Sequence, residues 1–174
     1  MNVQMETRRI AKRMKPSVAL LLLAAVVTAC APKPEAASSH AGHEQHQTAS
    51  GDIQEKTASA SVLPSFLDKQ PDDIRLVYQA AGQAADILKW MPCYCGCGES
   101  AGHQSNLNCF IQKVNEDGSV MWDDHGTRCG VCLQIAVKSI KLKQDGKSLK
   151  EIRQTIDQTY KQGYAKPTPT PMPA

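Results

Sequence analysis

The sequence predicts a mainly α fold: a small domain of three main helices around an irregular, cysteine-rich middle, with one short β-hairpin allowed. Three observations predict it. Apolar residues recur at three- and four-residue steps in three separate stretches. Proline, glycine, acidic residues and a serine stand where those stretches begin or end. Six cysteines, Cys93, Cys95, Cys97, Cys109, Cys129 and Cys132, crowd the ground between the first helix and the opening of the second.

The folded domain is expected over residues 62–165. Leu63-Pro64-Ser65-Phe66-Leu67 reads as an extended arm or short turn. Pro71-Asp72-Asp73 then starts a helix, since proline suits the first turn and acids complement its positive end. Ile74, Val77, Tyr78, Ala81, Ala84, Ala85 and Leu88 share one face of it. Trp90-Met91-Pro92 ends it, because the residue before proline is pushed out of the helical region. Residues 99–108 read as loop. Asp117-Gly118 between two apolar runs favours a hairpin, and a short helix over 105–113 is the competing assignment. A second helix follows Asp123-Asp124-His125, with Cys129, Cys132, Leu133, Ala136, Val137, Ile140 and Leu142 in register, and Asp145-Gly146 stops it. Ser148 and Glu151 have the spacing of a capping box for the third helix, which buries Leu149, Ile152, Ile156 and Tyr160. Residues 166–174, KPTPTPMPA, read as a proline-rich disordered tail.

The formal net charge of +3 belongs to the first 29 residues. Removing their five basic residues and single Glu6 leaves 15 basic and 16 acidic residues. That balance gives no electrostatic reason to expect a nucleic-acid partner. Arg8 to Lys15 is a positive n-region, and Ser17 to Val27 is an apolar h-region too short to span a bilayer comfortably. Val27-Thr28-Ala29-Cys30 resembles the lipobox of bacterial lipoproteins. That resemblance implies a signal peptide over 1–29, lipid on the Cys30 thiol, and a protein anchored to the extracytoplasmic face of the cell membrane. The alternative is an uncleaved N-terminal anchor. Residues 30–61 then read as a flexible linker, in which Ile53 is the one large aliphatic residue. His40, His43 and His46 repeat within it and can scavenge a metal weakly, but a polar linker that happens to hold histidine is the plainer reading.

The candidate chemistry lies in the six cysteines together with His103 and His125. Cys-x-x-Cys at a helix start is a common half of a thiolate metal site. A Cys-x-Cys-x-Cys run converges on one centre if the chain curls, and Gly96 and Gly98 permit a curl through positive φ. Soft thiolates select copper(I) or zinc, so a copper or zinc ion held by Cys93, Cys95, Cys97, Cys109, Cys129, Cys132, His103 and His125 is the leading reading. A metal donor or acceptor protein is the partner that reading implies. A disulfide-stapled structural or interaction module is the second reading, because an even cysteine count outside the cytoplasm allows bridges. A thiol–disulfide redox protein is the third. A catalytic reading would pair Cys129 or Cys132 with His125. The βαβ pattern of thioredoxin-like enzymes is missing, so enzyme activity is the lesser expectation. The first three cysteines follow a helix C-terminus, which does nothing to lower thiol pKa values; Cys129 and Cys132 open a helix, which favours thiolate.

Pro92-Cys93-Tyr94-Cys95-Gly96-Cys97 spells the motif that names the PCYCGC-motif bacterial lipoproteins, and the chain resembles that family over most of its folded domain. The resemblance implies a surface-anchored lipoprotein of a Gram-positive or related bacterium. It brings no activity with it, so the metal assignment rests on ligand chemistry. Both leading readings require Cys93, Cys95 and Cys97 to meet Cys129 and Cys132.

Overall fold

The computed structural model describes residues 44–174. Cys30, the segment read as a signal peptide, and His40 and His43 lie outside the described residues.

The mainly α expectation is overturned by a four-stranded antiparallel sheet of order β1-β2-β4-β3. Its strands are β1 (Gln45–Gln47), β2 (Ile53–Thr57), β3 (Ile111–Val114) and β4 (Val120–Asp123). The fold is therefore α+β. The hairpin expected around Asp117-Gly118 is present as β3–β4, with Gly118 at φ +82° and a register shift between Ile111 and Lys113. The other two strands come from the stretch read as a flexible linker, so the described part of that stretch is folded. Strand β2 is internal, pairing Glu55 with Trp122 and Thr57 with Val120.

Strand β2 escapes hydrophobic patterning because polar side chains fill its buried positions. Glu55 is fully buried and accepts hydrogen bonds from Ser65 N (2.7 Å) and Ser65 Oγ (2.8 Å). Gln54 Nε2 donates to Asp123 Oδ2 at 2.8 Å, and Trp122 Nε1 donates to Thr57 Oγ1 at 2.8 Å. Each of these groups would cost a few kcal/mol to bury without a partner. Here each finds its partner only through tertiary contact.

The helices are α1 (Asp72–Gln83), α2 (Ala85–Leu88), α3 (Gly98–Ala101), α4 (Gly130–Gln144) and α5 (Leu149–Thr159). The first expected helix is broken at Ala84, whose φ of −114° and ψ of 22° leave the α region. The break turns Ile87, Leu88 and Met91 into the core, where Leu88 and Met91 are fully buried. Short 3-10 turns at Ser65–Leu67, Asn106–Cys109 and Asp124–Arg128 link the elements. The capping box of α5 forms as expected, Ser148 Oγ accepting from Glu151 N while Ser148 N donates to Glu151.

Tyr78 centres the core. Its ring meets Phe66 and Phe110 edge-on, with centroids 5.8 and 5.1 Å away, and its hydroxyl donates to Asp123 O at 2.8 Å. Helix α1 is thereby fastened to the end of β4, where the chain turns toward His125.

The tail also departs from expectation. Thr168 and Thr170 are buried. Arg153 Nη1 donates to the carbonyls of Trp90, Thr170 and Pro171 at 3.1, 3.1 and 2.8 Å. Proline cannot donate a backbone hydrogen bond, so this segment stays extended, and a buried arginine satisfies its carbonyls instead. Among the described residues, no helix is long and apolar enough to cross a membrane.

Candidate metal centre

The cysteine loop runs from α2 to α3 and is held on two sides. The C-terminal segment pairs with it like a short strand: Cys93 N donates to Thr168 Oγ1 (2.9 Å), Thr168 N donates to Cys93 O (3.0 Å), and Ala165 N donates to Tyr94 O (3.2 Å). Asn106 ties it to the second half of the site, its N donating to Met91 O at 2.7 Å and its Nδ2 to Cys132 O at 3.2 Å. Gly96 supplies the expected curl, with φ +84°. Gly98 is needed for space instead of φ: a Cβ there would lie 2.4 Å from Thr168 Cγ2.

These constraints bring the two cysteine clusters together. Cys93 Sγ lies 3.0 Å from Cys95 Sγ, 3.3 Å from Cys132 Sγ and 3.7 Å from Cys109 Sγ. All six cysteines are free. A disulfide requires about 2.05 Å between sulfurs. Around a tetrahedral ion with metal–sulfur bonds of about 2.3 Å, neighbouring sulfurs stand about 3.8 Å apart. The observed separations approach the second geometry.

Among the described residues, four groups of donors have ligand atoms that all lie within 4.8 Å of one another; Asp52, His103 and His125 form one, Asp52, Asp123 and Asp124 another, and the remaining two hold the sulfurs. One is Cys95, Cys129, Cys132 and His125. The other is Cys93, Cys109 and Cys132, all buried. Cys132 belongs to both. These groups can hold a metal ion.

His125 belongs to the first group with one ring nitrogen already engaged. Its Nδ1 lies 3.1 Å from Asp52 Oδ1, and its Nε2 is buried with no hydrogen-bond partner. A carboxylate on one imidazole nitrogen fixes the tautomer that leaves the other free to bind metal. Asp52 is itself held by Ser50 Oγ at 2.7 Å and by the Arg128 guanidinium, which also pairs with Asp124. Burial works against the Asp52 carboxylate, but the Ser50 and His125 hydrogen bonds and the His125 and Arg128 charges hold its pKa below the ordinary range.

Without metal, the thiols sort themselves by their contacts. Hydrogen bonds from Cys129 and Cys132, with help from His125, bring Cys95 down to about 4. The nearby Cys95 thiolate, assisted by Asp52, lifts His125 to about 9 against the effect of burial. Cys95 is therefore thiolate and His125 imidazolium at neutral pH. Hydrogen bonds from Cys132 and Cys93 bring Cys109 to about 7. Cys132 moves the other way, pushed far up by its bonds to Cys109, Cys129, Cys93 and Cys95, so it keeps its proton. This reverses the helix-dipole expectation. Helix α2 is four residues long and carries little dipole, so contacts between sulfurs decide the order.

The group is buried on one side and open on the other. A cleft of about 300 Å³, lined by Ser50, Asp52, Cys97, Ser100, Ala101, His125, Arg128 and Cys129, opens over the Cys129 edge.

The PCYCGC motif thus sits at the centre of the folded unit, and its match extends well beyond the motif. The family described as "Protein of unknown function with PCYCGC motif" matches residues 19–173. The chain belongs to this PCYCGC family. No curated protein and no solved structure matches it.

Seven of the eight expected ligands are in or against the cluster of this PCYCGC protein. Cys93, Cys95, Cys109, Cys129, Cys132 and His125 form the two groups. His103 is buried beside them, its Nδ1 3.7 Å from Cys109 Sγ and its ring centroid 4.7 Å from that of His125. Burial pushes its pKa down, so it is neutral. Cys97 belongs to neither group and stands on the cleft rim. His46 is exposed on edge strand β1 and takes no part. Sequence reasoning missed Asp52, Arg128 and Thr168. The turn signal Ser50-Gly51-Asp52, with Gly51 at φ +86°, was the one available hint to the β1–β2 hairpin that delivers Asp52.

Proposed function

We propose that this protein is an extracytoplasmic lipoprotein, anchored by lipid on Cys30, that binds copper or zinc and exchanges it with a donor or acceptor protein. One observation carries the metal reading: Cys95, Cys129, Cys132 and His125 converge within 4.8 Å, with Asp52 aiming the histidine. Three thiolates and an imidazole form a set that suits zinc or copper(I) and offers nothing to calcium or magnesium. The half-exposed Cys97 and Cys129 on the cleft rim support exchange, since an incoming partner ligand can reach the ion from that side. The lipid anchor rests on the Val27-Thr28-Ala29-Cys30 pattern.

Elemental analysis and thiol counting on the purified full-length protein test this reading. Expected are bound zinc or copper and, besides Cys30, six titratable thiols once the metal is chelated. Three disulfides with no metal would end it.

A second reading has its own support. Cys95 is half-buried with a thiol pKa brought to about 4 beside Cys129, the setting of a redox-active cysteine. Rapid reduction of a test disulfide by the metal-free protein, abolished in Cys95→Ser, would favour it. Inertness toward the disulfide would remove it.

A further inference from the structure

We propose that the centre holds two metal ions, not one, with the Cys132 thiolate bridging them. The proposal rests on the metal-binding reading above and fixes the stoichiometry of that same site.

Cys132 Sγ is the one donor atom common to both groups. Cys95, Cys129 and His125 surround it on the side of the cleft. Cys93 and Cys109 stand on the buried side, Cys93 Sγ at 3.3 Å from Cys132 Sγ and Cys109 Sγ 3.7 Å from Cys93 Sγ. Five sulfurs are too many for one ion, which takes four ligands in a closed thiolate site. The set Cys95, Cys129, Cys132 and His125 is already four. Cys93 and Cys109 therefore remain, fully buried and in contact with the shared sulfur.

With two divalent ions bound, the five thiolates keep a net charge of −1, small enough for a partly buried site. Loading the ions releases to solvent the protons that the thiols still hold, together with the proton on His125. Cys132 lies in the first turn of the 15-residue helix α4, which fixes its sulfur between the two groups. The inner ion would have three sulfurs, Cys93, Cys109 and Cys132, with His103 next to Cys109.

Cadmium-113 NMR of the full chain, loaded with excess cadmium and then desalted, reads both the number of ions and the bridge. Two resonances of equal intensity, split by coupling to each other, are expected. Cys109→Ser should lose one resonance and the splitting while the other stays. His125→Ala should shift the outer resonance and leave the inner one near its place. A single resonance with one cadmium per chain would overturn the proposal and leave the metal reading standing. Two resonances without mutual coupling would remove Cys132 as the bridge. No bound cadmium would take both readings down. The wild-type spectrum decides even where Cys109→Ser fails to fold.

Discussion

His125 Nδ1 and Asp52 Oδ1 lie 3.1 Å apart although 73 residues separate them in the chain. One belongs to the 3-10 turn ahead of α4. The other ends the turn between β1 and β2, inside a stretch whose composition reads as linker. Their contact occupies Nδ1 and leaves Nε2 without a hydrogen-bond partner, so the sheet helps to shape the candidate centre.

Replacing Asp52 with asparagine keeps the size of the side chain and removes its charge. Metal affinity should fall about 10–100-fold, the usual loss when the outer partner of a ligating histidine is removed. Competition against a chromophoric chelator measures it. An unchanged affinity would mean that Asp52 does not orient His125.

The metal-free protein should show a particular pH profile. Cys95 goes from an ordinary 9.0 to about 4 on folding, so its contribution is complete above pH 9 and fades as pH falls through 4. His125 goes from 6.5 to about 9, so its contribution is complete below pH 6.5 and is lost as pH rises through 9. Between pH 6.5 and 9 the two slopes cancel. These two groups therefore make stability rise from about pH 4 to about pH 6.5 and leave it flat to about pH 9. Thiolate absorbance at about 240 nm should persist in part to about pH 4, and at about pH 5.5, below the Cys109 step near 7, it should be absent in Cys95→Ser. Loss of that absorbance near pH 8 in the wild type would contradict the assignment.

Gly98→Ala drives a methyl group to 2.4 Å from Thr168 Cγ2 and should cost about 1–3 kcal/mol of stability in denaturant titration. Thr168→Ser removes Cγ2 and keeps the hydroxyl that accepts from Cys93 N. The double variant should regain most of the loss. Additive losses would show that the tail does not press on the loop.

Tyr78→Phe deletes the hydroxyl that donates to Asp123 O and leaves that carbonyl buried. The expected cost is about 1–3 kcal/mol. Thermal unfolding of the metal-free and metal-loaded forms should both register it. A shift confined to the loaded form would place Tyr78 in the centre instead of the scaffold.

The site was more legible in the sequence than the fold was. Cysteine and histidine are chemically distinctive, so Cys93, Cys95, Cys109, Cys129, Cys132 and His125 could be picked out by type and spacing, and the PCYCGC motif marked the family. Helix α5 was readable because its signals are local: Ser148 and Glu151 are three residues apart, and Ile152 and Ile156 four. The β3–β4 hairpin was readable from Asp117-Gly118. Tertiary structure alone decided the rest. Strand β2 buries glutamine, glutamate and threonine, whose burial is stable only because Asp123, Ser65 and Trp122 come from elsewhere to meet them. The proline-rich tail is fixed by Arg153 and by the cysteine loop, and the order of thiol acidities follows from which sulfurs touch. Local chemistry is written in residue type and spacing. A buried polar contact is written in two distant places at once, and only the folded chain brings them together.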